Sequence, residues 1–270
     1  MKFAILWVSV QYKIQLRKSI SYFIVAAVCL TTASACQSAY TNNVYDKADV
    51  IVRHNADKPL IYWAFSADSL FEGGPMCLDV LNEKGIKASF FFTGKFLRDS
   101  ANNAIIKRVI ADGHYVGPHG DKHILLAEWD SNRTPLVSAD SLLADVRDNI
   151  VEFEKFGVSK NCCRWFMPSY EWISKSQVAV LHDNMTIEII NLTPGIQIYR
   201  DYTTPDMPDY ISSDSIISQL YSFEESHTLN GAILIMHLGT SMARTDKLYY
   251  HLSGLIDTLQ SKGYKFARFD

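Results

Sequence analysis

The stretch IKASFFFTG, residues 86–94, decides the fold. Three consecutive phenylalanines behind small residues make a short continuous apolar run, the pattern of a strand buried on both faces. Before it, PMCLDVLNEKG (75–85) carries apolar residues at helical spacing, and Gly85 suits a helix stop. After it, NNAIIKRVIADG (102–113) reads as a second helix ended by glycine, and HYVGPH (114–119) as a short strand running into a loop. Upstream, PLIYWAFSAD (59–68) is a strand rich in aromatic and aliphatic residues. Downstream, SADSLLADVRDNIVEFEKFG (138–157) opens on a Ser-Ala-Asp cap and keeps a long amphipathic period. RWFMPSYEW (164–172) reads as strand then turn, and the alternation continues to YKFARF (264–269). Alternating helices and buried-type strands predict an α/β fold with a parallel sheet or a β/α barrel. Barrel chemistry gathers at the C-terminal ends of strands. Asp68, His119, His123, Pro168 to Glu171 and His237 all fall at such ends.

Composition limits the alternatives. The chain has 270 residues, 48% hydrophobic and 20% charged, which suits one domain or a domain with a tail. The net charge of −3 offers no basic field to nucleic acid. Lys2, Lys13, Arg17 and Lys18 are basic and no acid precedes Asp46. An apolar run, SISYFIVAAVCL, then leads into TTASAC. This is the basic, apolar, small-residue order of a secretory signal, and the run is short for a membrane span. Residues 1–35 are expected to be the signal peptide, 36–57 a linker and 58–270 the catalytic domain. Cys36 follows Ala33-Ser34-Ala35, which resembles a loose lipobox. Lipidation there would anchor an exported protein at the membrane, in the periplasm or on the cell surface. Cleavage at the same site without lipidation would leave it soluble. Cys77, Cys162 and Cys163 remain after cleavage, and an exported chain could bridge one pair, through Cys77.

GHYVGPHGDKH (113–123) holds three of the eight histidines. His119 and His123 are four apart. If GDKHILLAEW turns helical, both imidazoles project the same way. Two imidazoles and a carboxylate form a common site for zinc or a similar divalent ion. His114 lies on the other side of the strand entry and is expected to be structural.

These stretches together resemble the polysaccharide deacetylase superfamily, the NodB-homology domain of carbohydrate esterase family four. IKASFFFTG is similar to the K-A-T-F-F-x-x-G strand of that family, and GHYVGPHGDKH to G-H-E-I-G-x-H-[ST]-x-x-H. AILIMHLG resembles its late I-L-L-H strand, and LIDTLQSKGYKFARF its final helix and strand. The resemblance covers about residues 58 to 270. It implies a distorted (β/α) barrel, a divalent metal held by Asp68, His119 and His123, and His237 as general acid. The metal expected is zinc, with cobalt or nickel as alternatives.

The departures matter as much. The family has T-F-D-D-G, whose first Asp is the base and whose second binds metal. Here AFSADSLFEGG puts Asp68 at the metal position and Ala67 at the base position, or Ser66 there after a one-residue shift. The arginine of R-x-P-Y-G is replaced by Met167 or Phe166. Glu171 and Asp246 are candidates for the missing base, with a metal-bound hydroxide as the fallback. The backbone near Tyr170 would stabilise the oxyanion. Trp129, Trp172, Tyr199 and Tyr202 could stack on sugar rings or pack at the rim. Arg244, Asp246 and Lys247, after His237, could pair together, orient it, touch the glycan, or lie in a solvated loop.

The reading that follows is a metal-dependent hydrolase that deacetylates a polysaccharide or oligosaccharide, at N or O. Two others stand beside it: a catalytically impaired glycan-binding module, and a hydrolase of a non-sugar amide on the same metal site.

Overall fold

Alternation along one strand separates a greasy outer layer from a functional inner one. The computed structural model describes residues 42–270. The first strands are β1 (Val44–Tyr45), β2 (Ile51–Arg53) and β3 (Leu60–Ala67). Ile61, Trp63, Phe65 and Ala67 pack into one cluster with Leu78, Ile106 and Leu255. Tyr62 turns the other way and stacks on Phe269, ring centres 5.1 Å apart. With a side-chain period of two, Ser66 shares the inner face with Tyr62.

Helix α1 (Gly74–Glu83) follows, with Pro75 in its first turn. It ends before Gly85, whose φ of 65° is the left-handed turn that glycine adopts freely. Next come β4 (Ser89–Phe92), α2 (Gly94–Arg98), α3 (Asn103–Ala111) and β5 (Tyr115–Pro118). Phe90, Phe91 and Phe92 are fully buried, each stabilising the fold by about 1.5–3 kcal/mol relative to exposure. Helix α4 (Ala139–Glu154) begins at Ser138, which accepts from the Ser141 N–H. After β6 (Trp165–Phe166), helix α5 (Lys175–Asn184) starts with a capping box between Ser174 and Gln177. The chain closes with β7 (Glu188–Ile189), α6 (Ser213–His227), β8 (Ala232–His237), α7 (Leu252–Ser261) and β9 (Lys265–Ala267).

One sheet runs in the order β1-β2-β8-β3-β4-β5, with β9 beside the start of β3. Strands β3, β4, β5 and β8 are mutually parallel, whereas β2 meets β8 antiparallel. The β6–β7 pair spans the gap between the outer strands. Met167 N–H donates to Pro118 O (3.2 Å) at one side, and Asn191 N–H to Ile51 O (2.9 Å) at the other. The result is a curled, distorted β/α barrel, the α/β architecture expected from the alternation. Helices α4 and α5 cover β6 and β7 through a second cluster that includes Leu142, Val146, Phe166, Leu181 and Ile189.

Three expectations need correction. The 36–57 stretch is not all linker, because β1 and β2 lie within it and β2 joins β8. Its two short strands are too brief to show a period. Cys77, Cys162 and Cys163 are free, with Cys77 buried in the α1 packing, so the bridge through Cys77 does not form. Residues 120–129 form no helix. The signal peptide and Cys36 lie outside the described residues. No helix among the described residues is long and apolar enough to cross a membrane.

Candidate active site

The strand ends bring two histidines together without a helix. His119 follows β5, and its N–H meets Asn149 Oδ1 at 2.8 Å. Gly120 then turns at φ 84°, with Ser169 Oγ and Asp145 Oδ2 where a β-carbon would sit. His123 itself is left-handed, φ 54°. The turn sets the two imidazoles edge to face, ring centres 5.1 Å apart.

The protonation states suit metal ligation. His119 Nδ1 lies 2.8 Å from Met167 O. A carbonyl only accepts, so Nδ1 carries the proton and Nε2 keeps its lone pair. Burial, then the neighbouring His123, pushes the His119 pKa down to about 3. Burial also lowers that of His123. Asp68, just past β3, sits 2.8 Å from Lys95 Nζ and accepts from Thr93 Oγ1 at 3.2 Å. Burial works to raise its pKa, but the Lys95 hydrogen bond and the fields of His123 and Lys95 hold it below the ordinary value. Two neutral imidazoles and an ionised carboxylate are the donor types a divalent ion takes. Among the described residues, however, no three such side chains are gathered into a ready-made cage. The Asp68 carboxylate is engaged by Lys95 instead.

His237 ends β8, and sequence reasoning missed what holds it. Its Nδ1–H donates to Asp201 Oδ1 at 2.6 Å, and its backbone N–H to Asp201 Oδ2 at 2.9 Å. Asp201 is 2% exposed. Burial favours neutral His237, but the field and hydrogen bond of Asp201 outweigh it and raise the His237 pKa. Asp201 lies in IQIYRDYTTPD, a turn-rich stretch read for its tyrosines. An aspartate in such a segment has no period to mark it. The Tyr202 ring lies edge-on to His237 at 5.5 Å.

Glu171 comes to this end of the barrel on a strained turn. Tyr170 and Glu171 both have positive φ, 60° and 51°. Burial pushes the Glu171 carboxyl up to about 7, His237 pulls it down, and Asp201 pushes it further up. Ser66 lies opposite His237 in the β3–β8 register. Its Oγ is buried without a protein hydrogen-bond partner. Ala67 faces the helices, so Ser66 is the β3 residue on the inner face next to Asp68.

Tyr170 packs on His123 at 4.5 Å and, with Trp172, adjoins Trp129. Arg244 and Asp246 do not join the site. Arg244 is 0% exposed and donates to Thr203 O, Ile211 O, Ser213 Oγ and Asp246 O. A side chain so enclosed cannot touch a glycan. Asp246 Oδ2 accepts from Ser213 N–H at 2.6 Å, at the start of α6, and from Tyr210 O–H at 3.4 Å. Lys247 ties the same loop to Glu72 and Thr240. These charges staple the loop after β8 inward. His114 is buried, accepting from Ala88 N–H, as a structural histidine should.

The chain belongs to the polysaccharide deacetylase family, whose sequence profile matches residues 54–184. A 30.6 kDa protein of Geobacillus stearothermophilus is 32% identical over 232 residues, 85% of this chain and 76% of that one. The peptidoglycan-N-acetylmuramic acid deacetylase PdaA of Bacillus subtilis is 34% identical over 84 residues, 30% of each protein. The chain spans about half the length, 57%, of a further relative, YlxY of B. subtilis, at 24% identity over 79% of this chain. Among solved structures, the family four pseudoenzyme BA3943 of Bacillus anthracis superposes with a TM-score of 0.64 at 19% identity, over 83% of this chain and 68% of that one.

Proposed function

We propose that this protein removes acetyl groups from a polysaccharide or oligosaccharide with the help of a divalent ion, zinc before cobalt or nickel. One observation carries the reading. Two neutral imidazoles beside an ionised carboxylate share a rim of strand ends with His237, whose proton Asp201 holds. Asp68, His119 and His123 would hold the ion, with Asp68 turning from Lys95 to do so. Such an ion, when bound, polarises an acyl carbonyl and lowers the pKa of water.

The remaining work falls to the chain's own side chains. Glu171, with a pKa near 7, is poised to accept a proton at neutral pH. Glu171 is preferred to the other candidate, Asp246, whose Oδ2 is taken up by the Ser213 N–H. His237, kept protonated by Asp201, donates to the departing amine or alcohol. Asp201 fixes the ring through Nδ1, leaving Nε2 as the donating atom. Tyr170 and Trp172 border the cleft and would flank the substrate. Export, with a lipid anchor on Cys36, belongs to this reading and rests on the order of residues 2–36.

A second reading has its own support. No carboxylate stands on the inner face of β3 at Ser66, and BA3943 is described as a pseudoenzyme that a mutant form restores to activity. In that case the domain binds glycan without turning it over. Acetate release from acetylated oligosaccharides, assayed with added zinc, separates the two.

A further inference from the structure

Helix α4 turns a polar stripe toward the histidine turn. Asp145, Asn149 and Glu152 follow one another at helical spacing, so they share one face of the helix. All are buried, among Leu142, Val146 and Phe153. Polar groups buried where apolar ones would pack cost stability unless they are hydrogen-bonded. Asn149 carries part of that cost, because its Nδ2 has no hydrogen-bond partner among the described residues. What Asp145 and Asn149 do bond is the backbone from His119 to Lys122.

Asn149 Oδ1 accepts from His119 N–H at 2.8 Å, an N–H that Phe92 O shares at 3.2 Å. Asp145 spans the next pair of donors. Its Oδ2 accepts from Asp121 N–H at 2.9 Å and its Oδ1 from Lys122 N–H at 3.1 Å. On the carbonyl side, Ser169 Oγ–H donates to His119 O, Gly94 N–H to Gly120 O and Lys95 N–H to Asp121 O. Glu152 acts one step further out. It accepts from Arg98, whose Nη2 donates to Asp121 Oδ2 at 3.2 Å. The Asp145 carboxylate comes so close that a β-carbon at Gly120 would meet its Oδ2 at 2.9 Å. His123 ends the turn at φ 54°, a conformation that a β-carbon disfavours. Such a residue persists where its surroundings over-determine it, and Asp145 fixes the peptides just before it.

From this we infer that Asp145 and Asn149 are positioning residues, which from α4 fix the turn that aims His119 and His123 at one cation. They touch neither imidazole and act through the backbone alone. Asp145 is the stronger of the two, since the N–H groups of Asp121 and Lys122 have no other acceptor among the described residues. His119 N–H keeps Phe92 O when Asn149 is lost. An unanchored turn would let the left-handed His123 relax and the two rings part, with a loss of affinity for the ion. The inference rests on the metal reading of this pair but not on turnover.

The test is metal binding by the full chain, stripped with a chelator and then titrated with zinc by calorimetry and with cobalt by visible absorption. Asp145→Leu should raise the zinc dissociation constant about 10- to 100-fold and alter the cobalt band. Asp145→Asn, of the same shape with one accepting oxygen, should fall between it and the wild type, and serves if the leucine variant does not fold. Asn149→Leu should show a smaller loss of affinity yet melt no lower, because the unpaired Nδ2 goes with it. Ser138→Ala removes the cap of α4 far from the turn. It should lower the melting temperature and leave the zinc constant and cobalt band as they were. A wild-type zinc constant in folded Asp145→Leu or Asp145→Asn overturns the inference. So does an equal loss of affinity in Ser138→Ala, which would make the effect one of stability alone. A wild type that binds neither ion overturns the metal reading and this inference with it. The expected order of affinities in a protein that releases no acetate supports the inference and counts against turnover alone.

Discussion

His237 and Asp201 are bound twice, Nδ1 to Oδ1 at 2.6 Å and backbone N–H to Oδ2 at 2.9 Å. One buried carboxylate thereby fixes the position, tautomer and charge of the histidine at the end of β8. If His237 is the proton donor, the alkaline limb of the activity profile follows its raised pKa. Asp201→Asn removes the charge that raises it. The limb should move to lower pH, and turnover at pH 8 should fall roughly 10- to 100-fold. A pH profile of acetate release checks both.

Glu171 makes a prediction about stability with the opposite sign to the usual carboxylate. Its folded pKa, about 7, stands above its ordinary 4.5 because burial disfavours the charge. Below pH 4.5 both the folded and unfolded forms are protonated and nothing is lost. Between 4.5 and 7 the unfolded chain ionises first, so stability falls as pH rises and then levels off. Glu171→Gln should therefore raise stability at pH 8 by up to about 3 kcal/mol and leave it unchanged at pH 4. If Glu171 is the base, the same variant loses acetate release. Thermal unfolding at the two pH values, paired with an activity assay, reads both effects.

Ser66 and Ala67 can be told apart by placing a carboxylate at each. Ser66 faces the site opposite His237, whereas Ala67 packs among apolar residues against the helices. Ser66→Asp should increase acetate release, by as much as about 100-fold for a well-placed base. Ala67→Asp should instead destabilise the fold by several kcal/mol, the cost of an unpaired buried charge. Initial rates and denaturant midpoints for the two variants decide the register.

Lys95 competes for the carboxylate a cation would need, at 2.8 Å from Asp68. Zinc should raise the melting temperature of the wild type and raise it further in Lys95→Gln. The shift should vanish in His123→Ala and on adding EDTA. Differential scanning fluorimetry across a zinc series measures this.

How much was legible in the sequence depends on how local each feature is. FFF in 90–92 and the glycine stop at Gly85 report burial and a turn directly, and the parallel α/β order follows from their repetition. The nearness of His119 and His123 was expected, but for the wrong reason. A left-handed turn brings them together, and φ at His123 is not written in a spacing of four. Asp201 was invisible because its meaning lies 36 residues away at His237. For Arg244 the sequence leaves pairing within the loop, contact with the glycan and solvation all open, and the fold selects the first, with Nε donating to Asp246 O. Here it sinks to 0% exposure among carbonyl and hydroxyl partners that only the folded loop assembles. The face that Ser66 presents became clear only once the helices had claimed Ala67.

The central claim is that this rim hydrolyses an acetyl group from a glycan. Its most direct test is acetate release from an acetylated oligosaccharide by the purified protein with one equivalent of zinc, beside His119→Ala. Steady release by the wild type, abolished in the variant and by EDTA, is the predicted result. Absence of acetate from the wild type at every zinc concentration, with the oligosaccharide still bound, would contradict the claim and leave a glycan-binding module in its place.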